Sequence, residues 1–238
     1  MNAVVGGATF VIFPALVFAG VPAIQANATS SVVVWPPGLA NVFAYRRDID
    51  VPRRVLIALG SASFAGGAMG AWLLLHTSSG AFVKLIPWLL LFATLVFTLG
   101  ERLNARLGTG LANARAESRA LAGVAAAQLV ISVYGGYFGA GMGILMLAAF
   151  AVAQIGNIHT MNGVRSVLGL LVNGVAIAWF ILARAVVWRP AAVMVVGATI
   201  AAYLGATLAR RIDPGKMKRF VSLLAWGMTI YFFLQAYG

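Results

Sequence analysis

Runs of apolar residues as long as a bilayer is thick constrain this chain more than any other feature. Val55–Leu75, Phe82–Leu99, Gly163–Ala183, Ala191–Ala209 and Phe220–Tyr237 each approach the roughly 20 apolar residues a helix needs to cross the hydrocarbon core. A chain of 238 residues cannot bury so many of them in one water-soluble core. Its residues are 62% hydrophobic and 9% charged. Soluble domains hold about 45–50% apolar and about 25% charged residues. This excludes a soluble globular domain, a disordered chain and a secreted disulfide scaffold. The predicted fold class is an all-α polytopic membrane protein.

The side-chain inventory then removes most catalytic chemistry. There is no Cys, so disulfides, thiolate nucleophiles and Cys-based zinc sites are excluded. The acids are Asp48, Asp50, Glu101, Glu117 and Asp213, all in or beside polar connections. His76 and His159 lie far apart in sequence. Neither a carboxylate pair nor a Ser-His-Asp arrangement is within reach, so no enzyme, metal site or cofactor is expected. The formal net charge of +12 would suggest nucleic acid in a soluble protein. Here the cations sit between apolar runs, where they orient a membrane protein, and no nucleic-acid partner is expected.

Less regular runs flank these spans. Ala3–Gly20 carries glycines and Pro14, and Ala28–Tyr45 carries Pro36, Pro37 and Gly38. Leu121–Gln154 is long but punctuated by Gly135, Gly136, Gly139, Gly141 and Gly143. One constant offset aligns landmarks between the two halves. Asn27 falls on Asn162, Ser31 on Ser166, Arg54 on Arg189, Gly70-Ala71 on Gly205-Ala206, Gly80 on Gly215 and Gly6 on Gly141. The offset predicts a duplicated architecture. The first repeat covers residues 1–100, a polar cytoplasmic linker 101–120 and the second repeat 121–238. Met1 then falls on Gly136, which predicts one hydrophobic stretch ahead of the first repeat. A signal peptide is not expected: Val11–Val21 has no positive segment before it, and the region is mirrored in mid-chain.

Loop cations choose between parallel and inverted halves. Arg46, Arg47, Arg53 and Arg54 are placed inside, together with Arg102, Arg106, Arg115 and Arg119. If Leu121–Gln154 crosses once, the cluster Arg210, Arg211, Lys216, Lys218 and Arg219 faces outside. If it enters and returns, that cluster faces inside, and only Lys84, Arg184 and Arg189 face out. The second arrangement obeys the positive-inside rule better. It predicts two inverted repeats, each with a glycine-broken re-entrant or half helix followed by about three spans. Broken helices meeting near the midplane are a recurring plan of secondary transporters.

The candidate ligand-binding residues follow from those breaks. The glycine turns, with Gly6 and Gly7 in the first half and Gly139, Gly141 and Gly143 in the second, would free backbone N–H groups. A helix starting after such a break points its positive end at the gap, which suits an anion. Close packing by small residues is the plainer reading of any single glycine. Thr9, Asn27, Thr29, Ser30 and Ser31, with Asn162 and Ser166, would add uncharged hydrogen bonds. Helix capping and interhelical contacts are the plainer roles for these. Arg165 is the sharpest residue, a cation within an otherwise apolar span. Such a charge costs on the order of 3 kcal/mol or more at the bilayer centre, so it faces a cavity or a partner, or snorkels to the headgroups.

Three stretches carry a resemblance to a known family. They are Asn2-Ala3-Val4-Val5-Gly6-Gly7-Ala8-Thr9-Phe10 with Phe13-Pro14-Ala15-Leu16 and Gln25-Ala26-Asn27-Ala28-Thr29-Ser30; Ala44-Tyr45-Arg46-Arg47 with Asp48; and Tyr134-Gly135-Gly136-Tyr137-Phe138-Gly139-Ala140-Gly141-Met142-Gly143. Over nearly the whole chain the pattern resembles the TauE/SafE sulfite-exporter family. It departs in reading Gly6-Gly7-Ala8 where three glycines are usual, and in lacking a helix ahead of the first motif. The resemblance implies a secondary transporter in the inner (plasma) membrane. Its partners would be membrane lipid and a small sulfur-containing anion such as sulfite, sulfoacetate or another organosulfonate. Export is the expected direction. Import of a larger sulfonate is the alternative within transport, and a membrane assembly or scaffold protein the alternative outside it.

Overall fold

A computed structural model of the chain describes the backbone of residues 2–107, 118–208 and 214–237, and the side chains of 9–99, 121–199 and 219–237. Among the described residues all regular structure is helical. The order is α1 (Asn2–Phe18), α2 (Ala23–Tyr45), α3 (Arg53–His76), α4 (Ser79–Leu107), α5 (Ser118–Tyr137), α6 (Met142–Val152), α7 (Ile158–Leu182), α8 (Trp188–Leu208) and α9 (Pro214–Tyr237). Four segments are long and apolar enough to cross a membrane: Arg53–His76, Ser79–Leu99, Ile158–Leu182 and Arg219–Tyr237. They correspond to four of the expected spans. The fifth, Ala191–Ala209, corresponds to α8, whose side chains beyond residue 199 lie outside the described residues. The surface agrees with a lipid environment, since Leu182, Leu223 and Val130 are all at least 69% exposed.

The irregular runs behave differently from their sequence. Pro14 stands inside α1, and Pro36 and Pro37 inside α2, yet both helices continue through them. Proline removes one intrahelical hydrogen bond, and in a packed membrane bundle neighbouring groups absorb that loss. Gly6 and Gly7 are helical residues of α1, which corrects the expectation of a glycine break in the first half. Glycine permits a break without imposing one. In the second half the break is real: Gly139 and Gly141 adopt φ of +81° and +76°, which L side chains rarely do.

Leu121–Gln154 forms neither one span nor two. α5 has 20 residues, roughly 30 Å at 1.5 Å per residue, and α6 has 11, roughly half a bilayer. The turn 138–141 folds Met142 back onto Gly135, where its sulfur occupies the space a Cβ would need. The expected linker also begins as helix, because α4 runs on to Leu107. Residues 108–117 of that linker lie outside the described residues.

Small residues set the closest packing. Ser63, Gly66, Gly67 and Gly70 of α3 meet α5 so tightly that a Cβ on Gly66 would lie 2.6 Å from Leu129 O, and one on Gly70 would strike Val133 O. Without a hydrophobic drive between helices in lipid, such contacts carry the association. Elsewhere aromatic residues fill the core. Phe13 packs edge-on to Phe138 at 5.5 Å and stacks with Phe232 at 5.9 Å.

Helix starts repeat at a fixed interval. α7 begins 135 residues after α2, α8 after α3 and α9 after α4, the same separation as between the hydrogen-bonded hydroxyls of Thr94 and Thr229. α2 and α7 run antiparallel. Gly163 lies against Tyr45 and Ile49, Gly38 against Leu170 and Gly174 against Trp35, while Thr29 accepts from Val187 N beyond the end of α7. α4 and α9 are also antiparallel, with Tyr237 donating to Lys84 O at one end and Thr94 meeting Thr229 further along.

Candidate functional site

A cavity of about 700 Å³ opens between α1, α2, the α5–α6 turn, α6, α7, α8 and α9. Most of its wall is apolar, including Val33, Trp35, Phe138, Leu170, Met194 and Phe220. Eight of the residues singled out in the sequence line it: Thr9, Ser30, Ser31, Gly139, Gly141, Gly143, Arg165 and Ser166. They come from α1, α2, the glycine turn, α6 and α7, so the fold gathers residues from both halves of the chain.

Arg165 dominates the cavity electrostatically. It is the eighth residue of α7, two turns from the start of the helix. It is only 7% exposed, and its Nε has no hydrogen-bond partner. Burial excludes the snorkelling role. No Asp or Glu occurs in α7 to pair with it. Gly143 makes room for the guanidinium: a Cβ there would stand 2.9 Å from an Arg165 Nη.

The glycine turn supplies the second cationic feature. Gly141 is the N-cap of α6, and its left-handed φ lets the chain re-enter a helix within one turn. The amides of Met142 and Ile144 bond back to Gly139 O and Gly141 O. Among the described residues the amides of Gly141 and Gly143 have no backbone acceptor. Free amides and the positive end of the helix dipole therefore lie in the same cavity wall as Arg165. Tyr134 fixes the turn by donating its hydroxyl to Ala140 O at 2.6 Å.

The polar side chains divide. Ser30 and Ser31 reach the cavity, but both hydroxyls donate to Asn27 O, at 2.8 and 3.2 Å. Ser166 likewise donates to Asn162 O at 2.8 Å. These hydroxyls must rotate before they can donate to a ligand. Asn27, Thr29 and Asn162 do not line the cavity, contrary to expectation. Asn27 Nδ2 donates to Tyr137 O at 2.9 Å, tying α2 to the end of α5. Thr29 Oγ1 accepts from Val187 N and braces the turn before α8. Asn162 Nδ2 bonds to Ile158 O within its own helix. The cap of α7 is Asn157, which accepts from His159 N and Thr160 N. Gly6 and Gly7 are placed in α1, and their surroundings lie outside the described residues.

Asn41 and Asn173 line the cavity and were not singled out in the sequence. An amide within an apolar run, as at Asn173, was the available signal. Among the described residues no group of His, Asp or Glu is placed to hold a metal ion.

No solved structure matches the chain. It is 25% identical to a "Probable membrane transporter protein" of Haemophilus influenzae, over 96% of this chain and 88% of that protein. It is also 25% identical to a "Probable membrane transporter protein ORF9" of a Sinorhizobium species, over 97% of this chain and 86% of that one. Residues 1–232 match the family described as "Sulfite exporter TauE/SafE". With residues 1–232 matched, and with all regular structure among the described residues helical, the chain belongs to the TauE/SafE family.

Proposed function

We propose that this membrane transporter is a secondary carrier of sulfur-containing anions. The anion would dock its charged head at Arg165, with the Gly141 and Gly143 amides as neighbouring donors. The observation carrying this reading is the buried Arg165, whose Nε lacks a partner while the residue lines a cavity. A buried guanidinium with an unpartnered Nε is costly, and an anionic substrate relieves that cost.

Cavity size bears on the substrate. About 700 Å³ of mainly apolar space lies within the range of roughly 300–1,000 Å³ typical of sites for organic ligands. That favours an organosulfonate with an apolar body over bare sulfite. Export from a negative interior is downhill by about 2.3 kcal/mol per charge per 100 mV, so no coupled ion is required in that direction.

The fixed 135-residue interval and the antiparallel pairs α2/α7 and α4/α9 support an inverted duplication. Rocking of one half against the other would then alternate access. The same reading places the chain in the inner membrane, with residues 101–120 cytoplasmic.

The test is release from liposomes. Vesicles containing the protein are loaded with sulfite, an aromatic sulfonate or sulfate, and a negative interior potential is imposed. Faster release of sulfite or the sulfonate than of sulfate is expected. Arg165→Ala should weaken the selected anion by about 10- to 150-fold, the equivalent of the roughly 1.5–3 kcal/mol of a charged hydrogen bond. Wild-type affinity and flux in Arg165→Ala would refute the assignment.

A further inference from the structure

Across the glycine turn from the Arg165 cavity wall, the chain presents the opposite polarity. α5 ends at Tyr137, and the amides of Phe138 and Gly139 both turn back to Tyr134 O. Gly135 O and Gly136 O consequently receive no backbone hydrogen bond among the described residues. Both glycines are buried. Asn27 reaches this helix end, its Nδ2 bonded to Tyr137 O at 2.9 Å. That bond fixes the amide orientation, because the flipped form would set two acceptors against each other. Asn27 Oδ1 is then held beside the same helix end, in a residue 1% exposed, with no hydrogen-bond partner.

Buried acceptors are almost always matched by a donor or an ion. Here an orphaned amide oxygen adjoins the negative end of a helix dipole. The available ligands are neutral, hard oxygens. Divalent cations draw carboxylates, and none occurs in α2 or α5. Neutral carbonyls and half-helix ends suit a monovalent cation.

We propose that Asn27 Oδ1, with the carbonyls of Gly135 and Gly136, forms a sodium site at the C-terminus of α5. The turn Phe138–Gly141 separates it from the free amides of α6. A cation on one side and an anion on the other attract, so each raises the affinity for the other by the same factor. Sodium binding itself does not rest on the anion reading.

The experiment needs no transport. The full chain, purified in detergent, is titrated with NaCl, KCl or choline chloride at constant ionic strength, and thermal unfolding is followed by tryptophan fluorescence. A saturable rise in Tm with sodium, absent with choline and weaker with potassium, is expected. Asn27→Ala should need at least tenfold more sodium for half the effect. Equal responses of the wild type to all three salts would overturn the proposal and leave Asn27 Oδ1 to an ordered water. An Asn27→Ala protein that folds and keeps the wild-type sodium response would overturn it too. The wild-type comparison decides even if Asn27→Ala fails to fold. Chloride is common to every arm, so failure of the anion reading leaves this result unchanged.

Discussion

Gly143 and Arg165 meet where α6 begins, and the contact is asymmetric. A Cβ on Gly143 would approach an Arg165 Nη to 2.9 Å, and the guanidinium is the flexible partner. Gly143→Ala should therefore fold with a wild-type Tm while pushing the cation off its position. The expected loss is about tenfold in anion affinity, or roughly 1.4 kcal/mol, read by ligand-induced Tm shifts. Tyr134 acts on the backbone instead. Tyr134→Phe removes its bond to Ala140 O and should cost about 1 kcal/mol of stability, with weaker anion binding as the turn loosens. Arg165 was legible from sequence because a lone cation in an apolar run needs a reason. Asn27 and Asn162 were not, because residue type says nothing about where an amide points. Their hydrogen bonds to Tyr137 O and Ile158 O, which turn them from the cavity, exist only once the helices are packed.

At the scale of elements, α3 and α5 show how close the backbones come. Gly70→Leu would drive a side chain into Val133 O and to 2.7 Å from Tyr137 N. Overpacking of this kind costs at least about 1–3 kcal/mol, and Gly70→Leu should lower Tm or abolish folding. Gly60 on the same helix faces open space. Gly60→Ala should hold or raise Tm, gaining up to about 1 kcal/mol of helix propensity. The pair, measured side by side in detergent, separates a packing role from a general intolerance of substitution in α3. Hydropathy made α3, α4, α7 and α9 readable, since a run of span length has few alternatives. It misjudged α1, where Pro14 and two glycines look like a break and the helix runs through. Proline and glycine state what the backbone tolerates, and neighbouring helices decide whether a break forms. In the α5–α6 turn the positive φ of Gly139 and Gly141 decides it.

For the whole molecule, the direction of each half is the quantity that matters, because alternating access depends on it. α2 and α7 start 135 residues apart and lie antiparallel, with Tyr45 beside Gly163 and Thr29 beside Val187. Two copies with the same membrane orientation would run their equivalent helices parallel. The loop cations, through a returning path of Leu121–Gln154, favour the inverted arrangement on the positive-inside rule. The chain contains no Cys, so single-cysteine variants report sidedness without background. Asp50, His159 and Ala183 are all exposed and sit in or beside helix connections. If α5 and α6 enter and return, Asp50→Cys and His159→Cys should react with an impermeant maleimide from the cytoplasmic face. Ala183→Cys should then react only from the opposite face. A single crossing reverses the last two positions, placing Ala183 with Asp50 and His159 against them. Labelling right-side-out and inverted vesicles distinguishes the patterns. The inverted one is expected because Ile49, one residue before Asp50, already touches Gly163, four residues after His159.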